Sequence, residues 1–317
     1  MNCLGKLLFL FIPLCLSCNS DSLDESVSIA IDFNAKVQNN RAVADYSDVQ
    51  TDGFSVWGGF SGSNVFDGTI VSYQSGGWRY SEPKMWTKNT YGFHAVYPDV
   101  NEGAYTSVLT NTDYSQFTIN GFDTTSQQDL LYANSLGIDG NNPPASVNLT
   151  FGHILTKVSI KLLKHDDNAN DEVIATSVYL YGMYTQGDYI NTSGTGEWSG
   201  LSNSTQMGIN NLSETLTTST PAESSKSNVL DYLMIPQTFS NDHTVYLVVN
   251  YTFKQYGSTG DANTKVLIAP LPYSTIWETN SDIVYTATIH VDHNIEFATP
   301  VVEEWGTEQA GGTIIIT

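Results

Sequence analysis

Short runs in which apolar and polar residues alternate recur along the whole chain. The first apolar face consists of Val27, Ile29, Ile31 and Phe33, and longer runs lie within residues 245–253 and 283–291. Because the side chains of a β-strand point alternately to the two faces of a sheet, this period of two predicts half-buried strands. No amphipathic pattern longer than two helical turns interrupts these runs, so the chain is predicted to be all-β.

Turn-forming pairs separate the predicted strands, among them Asn120-Gly121 and Asp139-Gly140. Many short strands with frequent turns are typical of β-sandwiches. A length of 317 residues suffices for two domains. A polar stretch at residues 165–172 follows a long apolar run, so we predict one sandwich at residues 42–166 and a second at 167–317.

The amino terminus is predicted to be a lipoprotein signal peptide at residues 1–17. Lys6 precedes an apolar run at residues 7–16, which is too short to span a bilayer as a helix. Cys18 ends this segment and precedes polar, acidic sequence, which resembles a bacterial lipobox. We therefore expect Cys18 to carry fatty acyl chains such as palmitate, in a lipidated segment at residues 18–41. An ordinary signal peptide with incidental cysteines is the alternative.

The charge balance excludes two classes of partner. The chain has 33 acidic and 12 basic residues, a formal net charge of −21. Nucleic-acid binding requires a basic face that displaces counterions, so we predict no nucleic-acid partner. Few and scattered basic residues also argue against binding to the surface of anionic lipid.

Motifs for catalysis and metal binding are missing from the sequence. It contains no H-E-x-x-H, G-x-S-x-G, phosphate-binding loop or dinucleotide fingerprint. All 3 cysteines precede residue 19, so none can join a metal site in the mature chain, where Cys18 would be lipidated. His153 lies in an apolar run and is interpreted as a buried structural residue. We therefore predict that the protein is not an enzyme and has no cofactor or metal site.

Six segments, taken in order, resemble the fimbrillin-like proteins, which are also called type V pilins. Each is weak alone, but together they follow the order of the family and span residues 91–305. They are YGFHAVYP (residues 91–98), DLLYA (129–133), FGHILTKV (151–158), YLMIPQ (232–237), YTATI (285–289) and VEEW (302–305).

The resemblance implies two tandem transthyretin-like β-sandwiches and assembly by donor-strand exchange. An Arg-specific surface protease would cut between Arg41 and Ala42 and release the strand that contains Val27, Ile29, Ile31 and Phe33. A strand from the next subunit would then fill the groove. Residues 313–317 are the candidate donor strand, with Ile314, Ile315 and Ile316 at its centre. The last strand of their own domain is the alternative role for these residues.

The function implied is that of a structural subunit of a bacterial surface fimbria, exported as an outer-membrane lipoprotein. Its partners would be other fimbrial subunits in a homo- or hetero-polymer, the outer membrane through the lipid, and a receptor on a host or bacterial surface. Its location would be the outer membrane and then the extracellular fimbria. The alternative function is a non-polymerising surface lipoprotein that binds glycans through exposed aromatic side chains.

Overall fold

A computed structural model describes residues 29–38, 44–218, 230–240, 242–272 and 276–305. The described residues are mostly β-strand, which confirms the predicted all-β class. The strands are β1 (Phe33–Val37), β2 (Phe54–Phe60), β3 (Ser63–Gln74), β4 (Gly77–Arg79), β5 (Thr90–Tyr97), β6 (Ser107–Thr110), β7 (Gln116–Asp123), β8 (Leu131–Asp139), β9 (Val147–His153), β10 (Thr156–Lys164), β11 (Glu172–Tyr181), β12 (Tyr184–Thr192), β13 (Thr195–Ser204), β14 (Met207–Thr215), β15 (Leu230–Met234), β16 (Tyr246–Lys254), β17 (Asn263–Pro270), β18 (Ser281–Ile289), β19 (Ile295–Phe297) and β20 (Val301–Glu304).

Helical structure is limited to α1 (Tyr46–Asp52) and two 3-10 turns, Thr124–Ser126 and Asp166–Asn168, among the described residues. Asp45 caps α1, because its carboxylate accepts hydrogen bonds from the backbone N–H groups of Ser47 and Asp48. These hydrogen bonds lower the pKa of the Asp45 carboxyl. In the part of the chain that is described, no helix has the length and apolar character needed to cross a bilayer.

The first half of the chain builds a seven-stranded sheet in the order β1-β9-β8-β5-β2-β3-β4. Alternate residues of its strands bury one continuous apolar core. Phe54 lies in this core with its ring edge-on to Trp78 of β4 and Phe151 of β9, at centroid distances of 4.9 and 5.1 Å. β1 also contacts β4, the strand at the other end of the sheet order. The sheet therefore curves around its own core.

Two further sheets, built from β10 and strands after residue 166, share a second core. One has the order β15-β10-β18-β19, with β20 also paired to β18, and the other has the order β14-β11-β16-β17. The alternating faces predicted at residues 245–253 and 283–291 supply buried residues of β16 and β18, such as Leu247, Val249, Ile283 and Tyr285. These two predicted strands are confirmed.

A fourth sheet joins the two halves of the chain. Its order is β13-β12-β7-β6, so β6 and β7 precede the predicted boundary at residue 166 and β12 and β13 follow it. β7 and β12 are antiparallel partners, with Phe117 beside Asn191 and Ile119 beside Tyr189. A third apolar cluster packs against this sheet, and Trp305 is its last member in sequence. The domain boundary and the tandem transthyretin-like arrangement remain predictions.

Candidate functional site

The strand predicted to be removable is built into the seven-stranded sheet. β1 pairs in parallel with β9, in a register that runs from Phe33 beside Val147 to Val37 beside Phe151. On its other side, Ile31 N donates to Lys84 O at 2.8 Å and Trp86 N donates to Ile29 O at 3.0 Å. Residues 29–37 therefore lie in a groove between β9 and the segment at residues 84–86, which we call the β1 groove.

Alternate side chains of this segment form part of the core. Ile31, Phe33, Ala35 and Val37 are 0%, 6%, 3% and 8% exposed, whereas Asp32, Asn34 and Lys36 face solvent. Ile29 is 48% exposed, and Val27 lies outside the described residues. Of the four predicted residues, the structure thus places Ile31 and Phe33 in the core. The sequence interpretation stopped at Phe33, although the same alternation continues to Val37.

Phe33 has the most extensive aromatic contacts of the segment. Its ring lies edge-on to Phe66, Tyr80 and Phe93, at centroid distances of 5.3, 5.8 and 5.8 Å. The Tyr80 hydroxyl donates a hydrogen bond of 2.6 Å to Ile31 O. Burial is the main cause of the raised pKa of Tyr80, so this hydroxyl stays protonated as the donor. Removal of β1 would expose these aromatic rings and leave one edge of β9 unpaired.

The predicted cleavage site at Arg41 and Ala42 lies outside the described residues, but both flanks of that segment are fixed. Gln38 N donates to Phe151 O at 2.8 Å on the amino-terminal side. Ala44 N donates to the Asp129 carboxylate at 3.1 Å on the carboxyl-terminal side. The five residues 39–43 therefore connect a strand in the groove to a residue anchored in the core.

Asp129 is the centre of a buried polar cluster that the sequence analysis did not predict. Its carboxylate accepts a hydrogen bond from Leu130 N at 2.8 Å and lies 2.9 Å from Nδ1 of His153. The His153 ring stacks on Trp305 at a centroid distance of 4.4 Å. All three side chains are almost fully buried, and they come from three of the segments that resemble the fimbrillin-like proteins. The cluster links Ala44, near the predicted cleavage site, to Trp305, the last described residue.

A cavity of about 530 Å³ lies beside Ala44. It is lined by five acidic residues, Asp48, Asp52, Asp99, Glu102 and Asp129. The Tyr97 hydroxyl, at its wall, donates to Asp52 at 2.9 Å, and burial followed by this hydrogen bond raises the pKa of Tyr97. Among the described residues, no group of three or more His, Cys, Asp or Glu side chains is arranged to hold a metal ion.

The aromatic residues do not form an exposed platform of tryptophans. Trp57, Trp78, Trp277 and Trp305 are buried, and Trp86 and Trp198 are half-buried. Within the described ranges, the large aromatic side chains that are exposed are tyrosines, of which Tyr256 and Tyr181 are the most accessible at 77% and 55%. The glycan-binding alternative would therefore depend on separate tyrosines.

The candidate donor strand, with Ile314, Ile315 and Ile316, lies outside the described residues, as does Cys18. The chain before it is described as far as β20, which is antiparallel to β18 at the edge of its sheet. Val301 and Val302 of β20 are 49% and 53% exposed. Trp305 N then donates to Asn280 O at 2.9 Å and fixes the end of this segment.

Comparison with known proteins identifies one family. The profile of the fimbrillin-like family matches residues 35–305. A fimbrial protein from Bacteroides vulgatus superimposes with a TM-score of 0.62 at 15% identity, over 87% of this chain and 99% of that chain. No curated protein matches the chain.

Two candidate cell adhesion proteins also share the fold. The one from Bacteroides eggerthii has a TM-score of 0.52 and 12% identity, over 88% of this chain and 96% of its own. The one from Bacteroides ovatus has a TM-score of 0.50 and 17% identity, over 89% of this chain and 99% of its own.

Proposed function

Because the chain belongs to the fimbrillin-like family, we propose that it is a structural subunit of a bacterial surface fimbria. The observation that carries this proposal is the β1 groove. Residues 29–38 complete the core of the seven-stranded sheet, and residues 39–43 are their covalent connection to the part of the chain that follows. This short connection contains Arg41, one of the two arginines of the sequence.

Strand exchange would restore the apolar burial and the backbone hydrogen bonds that the groove loses when β1 is removed. Each of the three large side chains Ile31, Phe33 and Val37 contributes on the order of 2 kcal/mol of transfer free energy when buried. An empty groove would also leave backbone N–H and C=O groups of β9 without partners. A strand from another subunit restores both terms by β-augmentation. Residues 313–317, with their β-branched isoleucines, are the donor in this proposal.

Export and processing precede assembly in the proposed sequence of events. Acyl chains on Cys18, such as palmitate, hold the precursor at the outer membrane, since two chains suffice for stable anchoring. An Arg-specific surface protease then cuts after Arg41, so that Ala42 becomes the new amino terminus. The cut separates the lipid and β1 from the rest of the subunit, which makes the groove available and releases the subunit into the fimbria.

Protein sheared from cells tests this function directly. We expect its amino-terminal sequence to begin at Ala42 and its unboiled sample to give an SDS-resistant ladder. Sheared protein that begins at Cys18 and migrates as a monomer would contradict the proposal. If that monomer is retained on polysaccharide, the glycan-binding alternative replaces it.

A further inference from the structure

β20 is held loosely on its sheet. Its residues lie at the sheet edge and pair with β18 alone among the described strands, from Val301 beside Val284 to Glu304 beside Ser281. Val301 and Val302 point to opposite faces of the strand, yet both are about half exposed, so β20 adds little to the apolar core. The attachment of β20 therefore depends on its backbone hydrogen bonds and on the side chains opposite it.

Two carboxylates face each other across this short ladder. Glu303 of β20 lies directly opposite Asp282 of β18. Side chains directly opposite each other in an antiparallel pair have Cβ atoms about 5 Å apart, and like charges in such a pair reduce stability. When both groups are ionised, their repulsion opposes the attachment of β20.

Lys157 is the cation that faces Asp282, and a second carboxylate shares it. Nζ of Lys157, on β10, lies 3.2 Å from Oδ2 of Asp282 and 3.5 Å from Oδ1 of Asp231, on β15. In the described part of the chain, the charged groups that act on Asp282 are therefore Lys157, Asp231 and Glu303. Three carboxylates with one ammonium group leave an excess of negative charge when all are ionised.

The Asp282 carboxyl is half-buried and only partly hydrogen-bonded. Oδ2 accepts a hydrogen bond from Lys157 Nζ, whereas Oδ1 is buried and has no hydrogen-bond partner among the residues that the structure describes. A charged oxygen without a donor is costly to bury, and a proton removes that charge. Burial is the main cause of the raised pKa of Asp282; Lys157 opposes the shift, and Asp231 and Glu303 add to it.

We propose that Asp282 is a proton-operated latch for β20. Protonated Asp282 has no charge to repel Glu303, so β20 stays paired with β18. Ionised Asp282 repels Glu303, so β20 leaves the sheet edge more often and uncovers the edge of β18. The latch sets how firmly the end of the described chain is held, and it acts in the uncleaved chain, independently of the proposed function.

The sign of the pH dependence follows from the direction of the pKa shift. The pKa of Asp282 is raised above its ordinary value of 3.8 in the folded chain, so the folded chain binds more protons between these two values. The contribution of Asp282 to the attachment of β20 is therefore fully present below 3.8 and is lost as the pH rises through the raised pKa.

Hydrogen exchange of the β20 amides measures how often this strand opens. Asp282→Asn keeps the shape of the side chain without its charge. At pH 7 the peptide that contains β20 should therefore exchange about two- to fivefold more slowly than in the unmodified chain, which corresponds to one like-charge pair. Comparison at equal pH cancels the intrinsic pH dependence of exchange. The difference should shrink as the pH falls, because Asp282 of the unmodified chain then takes up its proton.

Glu303→Gln and Glu304→Gln form a matched pair of variants on the same strand. Each removes one negative charge from β20, but Glu304 lies opposite Ser281 and accepts a hydrogen bond from Asn280. Glu303→Gln should slow the exchange as Asp282→Asn does, with little further slowing when the two are combined. Glu304→Gln should not slow it.

Glu303→Gln also decides the question if Asp282→Asn does not fold, because it leaves the contact between Lys157 and Asp282 in place. Unchanged or faster exchange at pH 7 in the folded variants would overturn the latch, as would a difference that stays the same at low pH. Equal slowing by Glu303→Gln and Glu304→Gln would show an effect of total charge and would also overturn it.

Discussion

The contribution of β1 packing to stability can be measured at Phe33, which is buried, with its exposed neighbour Asn34 as the control. Phe33→Ala should lower the free energy of unfolding of the uncleaved precursor by about 3–5 kcal/mol, because it leaves a cavity among three aromatic rings. Asn34→Ala should change it by no more than about 0.5 kcal/mol. Urea denaturation of both variants measures the difference. Equal stability of the two would mean that β1 contributes little to the precursor.

His94 makes the stability of the protein dependent on pH. Its ring is buried, with Nε2 donating to Tyr114 O at 2.8 Å and Nδ1 accepting from the Tyr132 hydroxyl at 2.6 Å. Burial lowers the pKa of His94 to about 4. The unfolded state, with an ordinary histidine pKa near 6.5, then binds more protons between these two values.

The sign of this effect follows from that difference. Stability is fully present above pH 6.5 and is lost as the pH falls towards about 4. His94→Gln keeps polar atoms at the site but removes the titration, so its thermal midpoint should depend less on pH over this interval than that of the unmodified protein. Parallel curves for the two proteins would mean that His94 does not carry the dependence.

At the scale of the elements, the positions of the two arginines relative to the strands indicate which one is cut: Arg41 follows β1, whereas Arg79 lies within β4. A limiting amount of Arg-specific protease should cleave the chain from Asn19 onward after Arg41 and spare Arg79. Arg79 lies in β4, where it pairs with Ser72, and its guanidinium donates to Trp78 O at 2.8 Å. Intact mass under denaturing conditions should show one cut, and Arg41→Lys should show none. Early cleavage after Arg79 would contradict this.

The two roles left open for residues 313–317 predict different outcomes for one variant. Ile314→Asp with Ile316→Asp would bury two carboxylates without partners in a neighbour's groove, at a cost of several kcal/mol. If the segment is a donor strand, polymer yield after cleavage should collapse while the monomer keeps its thermal midpoint. A lower midpoint would instead assign the segment to its own domain.

At the scale of the whole molecule, the fourth sheet predicts that the two halves depend on each other. A fragment of residues 42–166 would leave β7 without β12 and would expose Phe117, Ile119 and Phe122. We expect this fragment to bind an apolar dye and to lack a cooperative thermal transition, unlike the chain from Asn19 onward. Cooperative unfolding of the fragment would support the predicted boundary at residue 166 as a true domain boundary.

The sequence was informative where the signal is local and uninformative where it is not. Alternation identified β16, β18 and the start of β1, because the pattern of each is contained within ten residues. The end of β1 was missed because Ala35 is small and adds little to an apolar face. The pairing of β7 with β12, and the contacts of Asp129, His153 and Trp305, join residues far apart in the chain, so no local pattern predicts them.

The position of Trp305 has a consequence for biosynthesis. This residue belongs to the same apolar cluster as Trp57, and the two are separated by almost the whole described chain. The cluster cannot close until Trp305 has emerged from the ribosome. Contacts between such distant residues slow folding, because a long loop must be closed before they form. This cluster is therefore expected to close last, only after the end of the described chain has been synthesised, whereas the core of the seven-stranded sheet is complete once Phe151 has emerged.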